Sequence, residues 1–131
     1  PWLYLALGAA QAAHSVEEVL TGLWKNLPVV TGYLNIRTGW VPVMTWSGEG
    51  FAAANLIIVA LLLGSSSFPF QNRTWAWKVV GVVAAVEILN GLGHMSAAFV
   101  TGGYFSGCIS AIFLFVIGVL ILMQLGRKNA K

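Results

Sequence analysis

The stretch AAHSVEEVL, residues 12–20, sets His14, Glu17 and Glu18 inside an otherwise apolar segment. Farther along, EILNGLGH carries Glu87, Asn90 and His94, and Glu49 stands between the two groups in SGEGFAAAN. Together these hold all 4 acidic residues and both histidines of the chain, while the 7 lysines and arginines keep to loops and to the ends of the apolar runs. Imidazole nitrogens and carboxylate oxygens are the donors that bind iron, manganese or zinc. Placing a charge near the centre of a bilayer costs roughly 2.5–3.5 kcal/mol per residue even on the lenient insertion scale. Carboxylates without a cationic neighbour must therefore be protonated, face water or bind a metal.

Helical rotation gathers these groups. At about 100° per residue, Glu17 and Glu18 flank His14 within an arc of about 100°, and Gln11 and Thr21 extend the same stripe. Glu87, Asn90 and His94 fall within about 60° of one another by the same arithmetic. Glu49 is flanked on its face by Ala52 and Ala53, which leave room. Histidines and carboxylates delivered from facing helices are the ligand inventory of di-iron and di-manganese carboxylate bundles. The usual order there is Glu-x-x-His, whereas here it is His14-x-x-Glu17. A mononuclear zinc or iron site with two histidines and one carboxylate fits the spacing equally well. Gln11, Asn90 and Tyr104 are the candidates to hydrogen-bond such ligands from outside and fix their orientation. Chains of protonatable Glu and His also build proton relays. A haem could be gripped by His14 and His94, although glutamates would be an unusual wall for it.

The elements that must position these residues follow from composition. The chain has 131 residues, of which 58% are hydrophobic and 8% charged, and its mean hydropathy is +0.82. Soluble domains carry about 25% charged residues. Four apolar runs, residues 2–23, 41–64, 75–100 and 103–125, each reach the ~20 residues that a spanning helix needs. They predict an all-α, four-helix transmembrane bundle with both termini on the same side, a single domain over residues 1–131. Arg73, Lys78, Arg127, Lys128 and Lys131 on the side of the termini, against Lys25 and Arg37 in the first loop, place the termini in the cytoplasm by the positive-inside rule. The first run is too long, and too polar in its second half, for a cleaved signal peptide.

The first loop, residues 24–40, carries two tryptophans and a tyrosine and is expected to lie on the non-cytoplasmic membrane surface. The turn VTGGY, residues 100–104, makes the last two helices antiparallel neighbours. Small residues in GEGFAAAN are expected to admit a neighbouring backbone. Counted inward from the non-cytoplasmic ends at ~1.5 Å per residue, His14 lies about 15 Å deep, Glu17, Glu18 and His94 about 10 Å, Glu49 about 12 Å and Glu87 about 20 Å. All six converge on one half of the membrane.

Several function classes are excluded. A single cysteine, Cys108, allows no internal disulfide and no multi-cysteine cluster. The net charge of +3 is not gathered on a face that could track phosphates, so no nucleic-acid partner is expected. There is no G-x-S-x-G, no phosphate-binding glycine loop and no CxxC.

His14-Ser15-Val16-Glu17-Glu18 resembles the signature of the HXXEE-motif family of small integral membrane proteins. Asn90-Gly91-Leu92-Gly93-His94 is similar to that family's N-x-x-x-H element, and Tyr104-Phe105-Ser106-Gly107 to its Y-x-P-G element, with serine at 106 in place of proline. These motifs extend over residues 14–107; the first is specific and the third weak. The family has no assigned function, so the resemblance implies one shared site at His14, Glu17, Glu18, Asn90 and His94 and names no substrate. Glu49 and Glu87 rest on charge and depth alone.

The expectation is a membrane metalloprotein in which His14 and His94 supply nitrogen ligands and Glu17, Glu18, Glu49 and Glu87 oxygen ligands to one or two ions of iron, manganese or zinc. It would be a metal-dependent membrane enzyme, an oxidoreductase or a hydrolase acting on a lipid-like or small apolar substrate. A proton-coupled or cation transporter and a small accessory subunit of a larger membrane complex are the alternatives. The partners expected are the lipid bilayer and either a second copy of the chain or a larger assembly.

Overall fold

The computed structural model describes residues 1–71 and 73–129. Lys131, counted above with the basic residues on the side of the termini, lies outside the described residues. The chain folds as helices α1 (Trp2–Thr21), α2 (Leu23–Thr38), α3 (Gly48–Gly64), α4 (Thr74–Thr101) and α5 (Cys108–Asn129), with a 3-10 helix, Ser65–Gln71, between α3 and α4. No strand forms among the described residues.

The expectation of four helices is thus corrected to five. Residues 24–40, expected as a loop, are helical through Thr38, with Pro28 inside α2. Gly22, at φ 72°, ends α1 with its N–H on the Glu18 and Val19 carbonyls, and α2 starts immediately after it. The left-handed backbone there is one glycine adopts at little cost. Lys25 lies over the Trp24 ring and Arg37 over that of Tyr33, 5.1 and 5.3 Å from the centroids. Only Leu23 and Thr31 of this helix are buried. The segment that follows is tied back to α2, because Asn35 Nδ2 donates to the Val41 carbonyl at 2.7 Å and the Met44 N–H to Thr31 Oγ1 at 2.9 Å. The next helix therefore begins at Gly48 rather than at residue 41, with Ser47 Oγ capping the Gly50 N–H at 3.0 Å.

Among the described residues three segments, Gly48–Gln71, Thr74–Thr101 and Cys108–Arg127, are long and apolar enough to cross a membrane. Their outer faces fit that, since Leu56, Ile57, Val82, Leu89 and Phe99 are all exposed. α1 has 20 residues but is not among these segments; its polar residues serve the interior.

Helix α1 packs against α3 and α5, and α4 lies along α5. The buried stripe of α1 runs Tyr4, Leu7, Gly8, Gln11, His14, Ser15, Glu18, and that of α4 runs Ala76, Val80, Ala84, Glu87, Gly91, His94. Both keep the three- and four-residue steps of one helix face, and both change from apolar to polar halfway along. At one end Tyr4, Leu7, Leu62, Val80, Ala84, Leu114 and Ile121 form a hydrophobic core. At the other the polar halves meet. Close backbone approach, which GEGFAAAN was expected to provide, is made instead between α4 and α5. A Cβ on Gly91 would stand 2.8 Å from the Ala111 carbonyl oxygen, and one on Gly118 2.9 Å from that of Ala84. Gly48 faces only the Trp24 ring, and Ala53 is exposed.

Candidate metal centre

The polar end is built from α1, α4 and the turn that leads into α5. His14 is fully buried, and Glu18 and His94 are nearly so. His14 and Glu18 stand one helical turn apart on the same face, so Glu18 Oε1 lies 3.1 Å from His14 Nε2. His94 approaches from α4, its Nε2 3.0 Å from the same oxygen. The two imidazoles meet edge to face, with centroids 4.6 Å apart. These three residues are the one group among the described residues whose nitrogen and oxygen donors converge within metal-binding distance, each donor within 4.8 Å of the others.

Hydrogen bonding places a proton on Nδ1 of each ring. His94 Nδ1 lies 2.7 Å from the Ser106 carbonyl oxygen, which can only accept, so Nδ1 is the protonated nitrogen. The Ser110 hydroxyl has one proton and donates it to Glu17 Oε2 in a very short bond, with the Gly107 carbonyl at 3.3 Å as the weaker acceptor. Ser110 Oγ, 2.9 Å from His14 Nδ1, then accepts from that ring as well. In the neutral rings both Nε2 atoms are left with lone pairs, and both face Glu18, itself an acceptor. His14 Nε2 has no aligned hydrogen-bond partner despite its distance to Glu18. With both rings neutral, three electron-pair donors point at one another, an arrangement that a cation, either a metal ion or a proton shared with Glu18, resolves.

The two Glu18 spacings suit a metal ion. Bonds of about 2.0–2.1 Å put neighbouring donor atoms roughly 2.9–3.4 Å apart in octahedral or tetrahedral coordination, which covers the two Glu18 distances. Iron, manganese and zinc all accept this donor set. Donation of each Nδ1–H to a carbonyl or hydroxyl is the outer support that fixes tautomer and ring orientation in metal-binding histidines.

The turn before α5 closes the site. Gly107, at φ 84°, lies so close to both rings that a Cβ there would meet His14 Cε1 and His94 Nδ1, each at 2.8 Å. Phe105 rests against the His94 ring, with centroids 5.9 Å apart, and the Ser106 hydroxyl bonds Thr21. Tyr104 Oη donates to Glu17 Oε1 at 2.7 Å. Burial, followed by this bond to a carboxylate, raises the Tyr104 phenol above its ordinary value.

The other sequence candidates fall elsewhere. Glu17 accepts from the Ile109 and Ser110 N–H groups at 3.3 and 2.8 Å, besides Tyr104 and the Ser110 hydroxyl. It caps the N-terminus of α5 from another helix, where the helix dipole favours an anion, and reaches His14 only through Ser110. Glu49 is exposed in the first turn of α3, and the structure does not bring it to the cluster. Glu87 is buried and accepts from Asn90 Nδ2 at 3.4 Å. With Gln11, Glu18, Asn55 and Asn90 it lines a cavity of about 740 Å³. Gln11 Nε2 donates to Ser15 Oγ at 3.2 Å, and its Oε1 has no partner.

The sequence reading did not name Ser110, and it named Ser106 and Gly107 only within the weak Y-x-P-G element, without a role at the site. A lone hydroxyl in the apolar run CISAIFLF was a usable signal for Ser110, since polar groups inside such runs seek partners on other helices. A backbone carbonyl has no sequence signal. No family model, curated protein or solved structure matches the chain. Fold and site therefore define the class: an all-helical protein with membrane-like helices and a buried His/Glu cluster able to bind a metal ion.

Proposed function

We propose that the chain is a multi-pass membrane metalloprotein of the HXXEE-motif family that holds one iron, manganese or zinc ion between His14 Nε2, His94 Nε2 and Glu18, and that it is a metal-dependent enzyme acting on a lipid-like substrate. In this reading α1 crosses the membrane with α3, α4 and α5, and α2 lies along the non-cytoplasmic surface, which its aromatic and basic residues suit. Both termini are then cytoplasmic, and the cluster sits in the non-cytoplasmic half. Glu17 and Glu49 are left out of the ligand set, the first because donors occupy both its oxygens and the second because it is exposed.

One observation carries the reading: both histidines spend Nδ1–H on fixed acceptors and turn their Nε2 atoms to one carboxylate oxygen. Two histidines and one carboxylate leave coordination positions open, as catalytic sites require. A divalent ion held there supplies Lewis acidity. Glu87, lining the cavity next to Glu18, is the carboxylate placed to accept or return a proton there.

The test is the metal content of protein purified in mild detergent, beside a His14→Ala, His94→Ala double variant. About one equivalent of metal in the parent, lost in the variant, supports the site. Iron or manganese then points to an oxidoreductase and zinc, which has no redox chemistry, to a hydrolase. Metal-free parent protein sinks the reading, and proton flux in liposomes that vanished with Glu87→Gln would put a proton path in its place.

A further inference from the structure

Helix α3 packs on α1, and α4 on α5, but α3 and α4 do not pack tightly on one another. The seam between them holds two cavities. One, of about 740 Å³, is flanked by Gln11, Glu18, Asn55, Glu87 and Asn90. The other, of about 370 Å³, is walled mainly by Leu61, Val79, Val82 and Val83 and extends toward the 3-10 helix. They share Ile58, Val86 and Glu87, so they are two ends of a single groove. From Glu87 to Val79 the apolar end runs about 12 Å along α4. Ile58 and Val86 at the junction are both exposed, so the groove opens sideways, onto the face that lipid would cover.

The polar end holds a buried acceptor without a donor. Gln11 is 3% exposed and its Oε1 has no partner. Glu87 is buried with only the long Asn90 bond. A buried acceptor without a donor costs about 1–3 kcal/mol, so the group that belongs there brings hydrogen-bond donors. Among the described residues no lysine or arginine lines either cavity.

We infer that the α3–α4 seam is the binding site of a single-chain amphiphile whose donor-bearing head, a hydroxyl above all, is held by Gln11 Oε1 and Glu87 beside Glu18, and whose alkyl chain lies between α3 and α4 toward the 3-10 helix. This names the substrate class for the enzyme proposed above and rests on that reading for its catalytic meaning, though the binding itself does not require the metal. The ligand enters laterally from the membrane. Gln11 is the specificity-determining residue, because an ether of the same length offers it no proton.

The probe is a diazirine analogue of dodecanol, photo-cross-linked to protein in lipid nanodiscs, mapped by mass spectrometry and competed with dodecanol or its isomer undecyl methyl ether. Cross-links should concentrate on the facing sides of α3 and α4, and dodecanol should compete at roughly three- to tenfold lower concentration than the ether, as one net hydrogen bond allows. Gln11→Leu should abolish that preference while labelling persists. Val86→Trp, at an exposed position where the larger ring displaces no buried side chain, should abolish labelling. Labels spread over the whole apolar surface, or equal competition by alcohol and ether in the parent, overturn the inference. Metal content from the same samples separates the two proposals. Metal present without alcohol preference removes only the inference, and alcohol preference without metal upholds it while removing the proposed enzyme.

Discussion

Gly107 is wedged against His14 and His94 at once, its backbone so near both rings that any Cβ would overlap them. At φ 84° it also occupies left-handed backbone that other residues enter at about 1–2 kcal/mol. Gly107→Ala should therefore displace the histidines as well as strain the turn. Gly102 separates these effects, because it has φ 68° but nothing within 4 Å of a Cβ. Gly102→Ala should cost only the backbone term, about 1 kcal/mol, and keep its metal. Gly107→Ala should cost more and lose metal, measured by denaturant titration and metal content. Equal metal content in the two variants would refute the wedge.

Glu17 and Glu18 are adjacent in sequence and are given different work by the fold. Glu18 faces both histidines, whereas Glu17 caps α5 and orients His14 through Ser110. Glu18→Gln should abolish metal binding and leave the fold intact. Glu17→Gln should lower stability by about 1–2 kcal/mol through the lost cap. It should also weaken metal affinity about 10- to 100-fold through the lost outer support. Hydrogen exchange at the Ile109 and Ser110 amides should quicken in Glu17→Gln alone. Quickened exchange in Glu18→Gln would mean that the assignments are reversed.

The polar stripes of α1 and α4 were legible because buried helix faces keep fixed residue steps, and four glutamates without a basic partner are conspicuous in an apolar chain. That His14, Glu18 and His94 meet follows from those stripes and from α5 bridging α1 and α4. Glu49 stands apart from the cluster because its helix starts at Gly48 and not at residue 41, and Ser47 followed by Glu49 is itself a helix-start signal. Helix α2 was hidden by Pro28, since a proline inside a short polar segment ordinarily argues for a loop. The weakest motif, Tyr104-Phe105-Ser106-Gly107, turned out to touch the cluster or its supports with all four residues. Its contribution is a turn, a carbonyl and a missing Cβ, which residue chemistry does not announce.

Tyr104 offers a pH readout outside the spanning segments. Burial and its bond to Glu17 hold its phenol above the ordinary value of 10.0, so the folded state keeps the proton more tightly than the unfolded state. For a group raised in this direction the stabilisation is complete below pH 10 and is lost as pH rises through the folded value. NMR titration of carbon-labelled tyrosine should show the Tyr104 signal moving to lower pH in Glu17→Gln. An unmoved titration would show that the bond to Glu17 is not what holds the proton.

The contact between α4 and α5 carries the last prediction. His94 reaches Glu18 only if α4 lies close to α5, and Gly91, one turn before His94, sets that separation. A Cβ at Gly91 would stand 2.8 Å from the Ala111 carbonyl oxygen and 3.0 Å from Phe115 Cβ, neither of which can yield without moving backbone. Gly91→Ala should cost about 1–3 kcal/mol, the range for overpacking a well-filled interior. It should also weaken metal binding by pushing His94 away from Glu18. Gly93, two residues on, has nothing within 4 Å of a Cβ. Gly93→Ala should stabilise by up to about 1 kcal/mol, because alanine loses less backbone entropy in a helix. Thermal unfolding and metal titration of the two variants in the same detergent decide the matter: a Gly91→Ala protein as stable and as metal-avid as Gly93→Ala would show that helix separation does not govern the site.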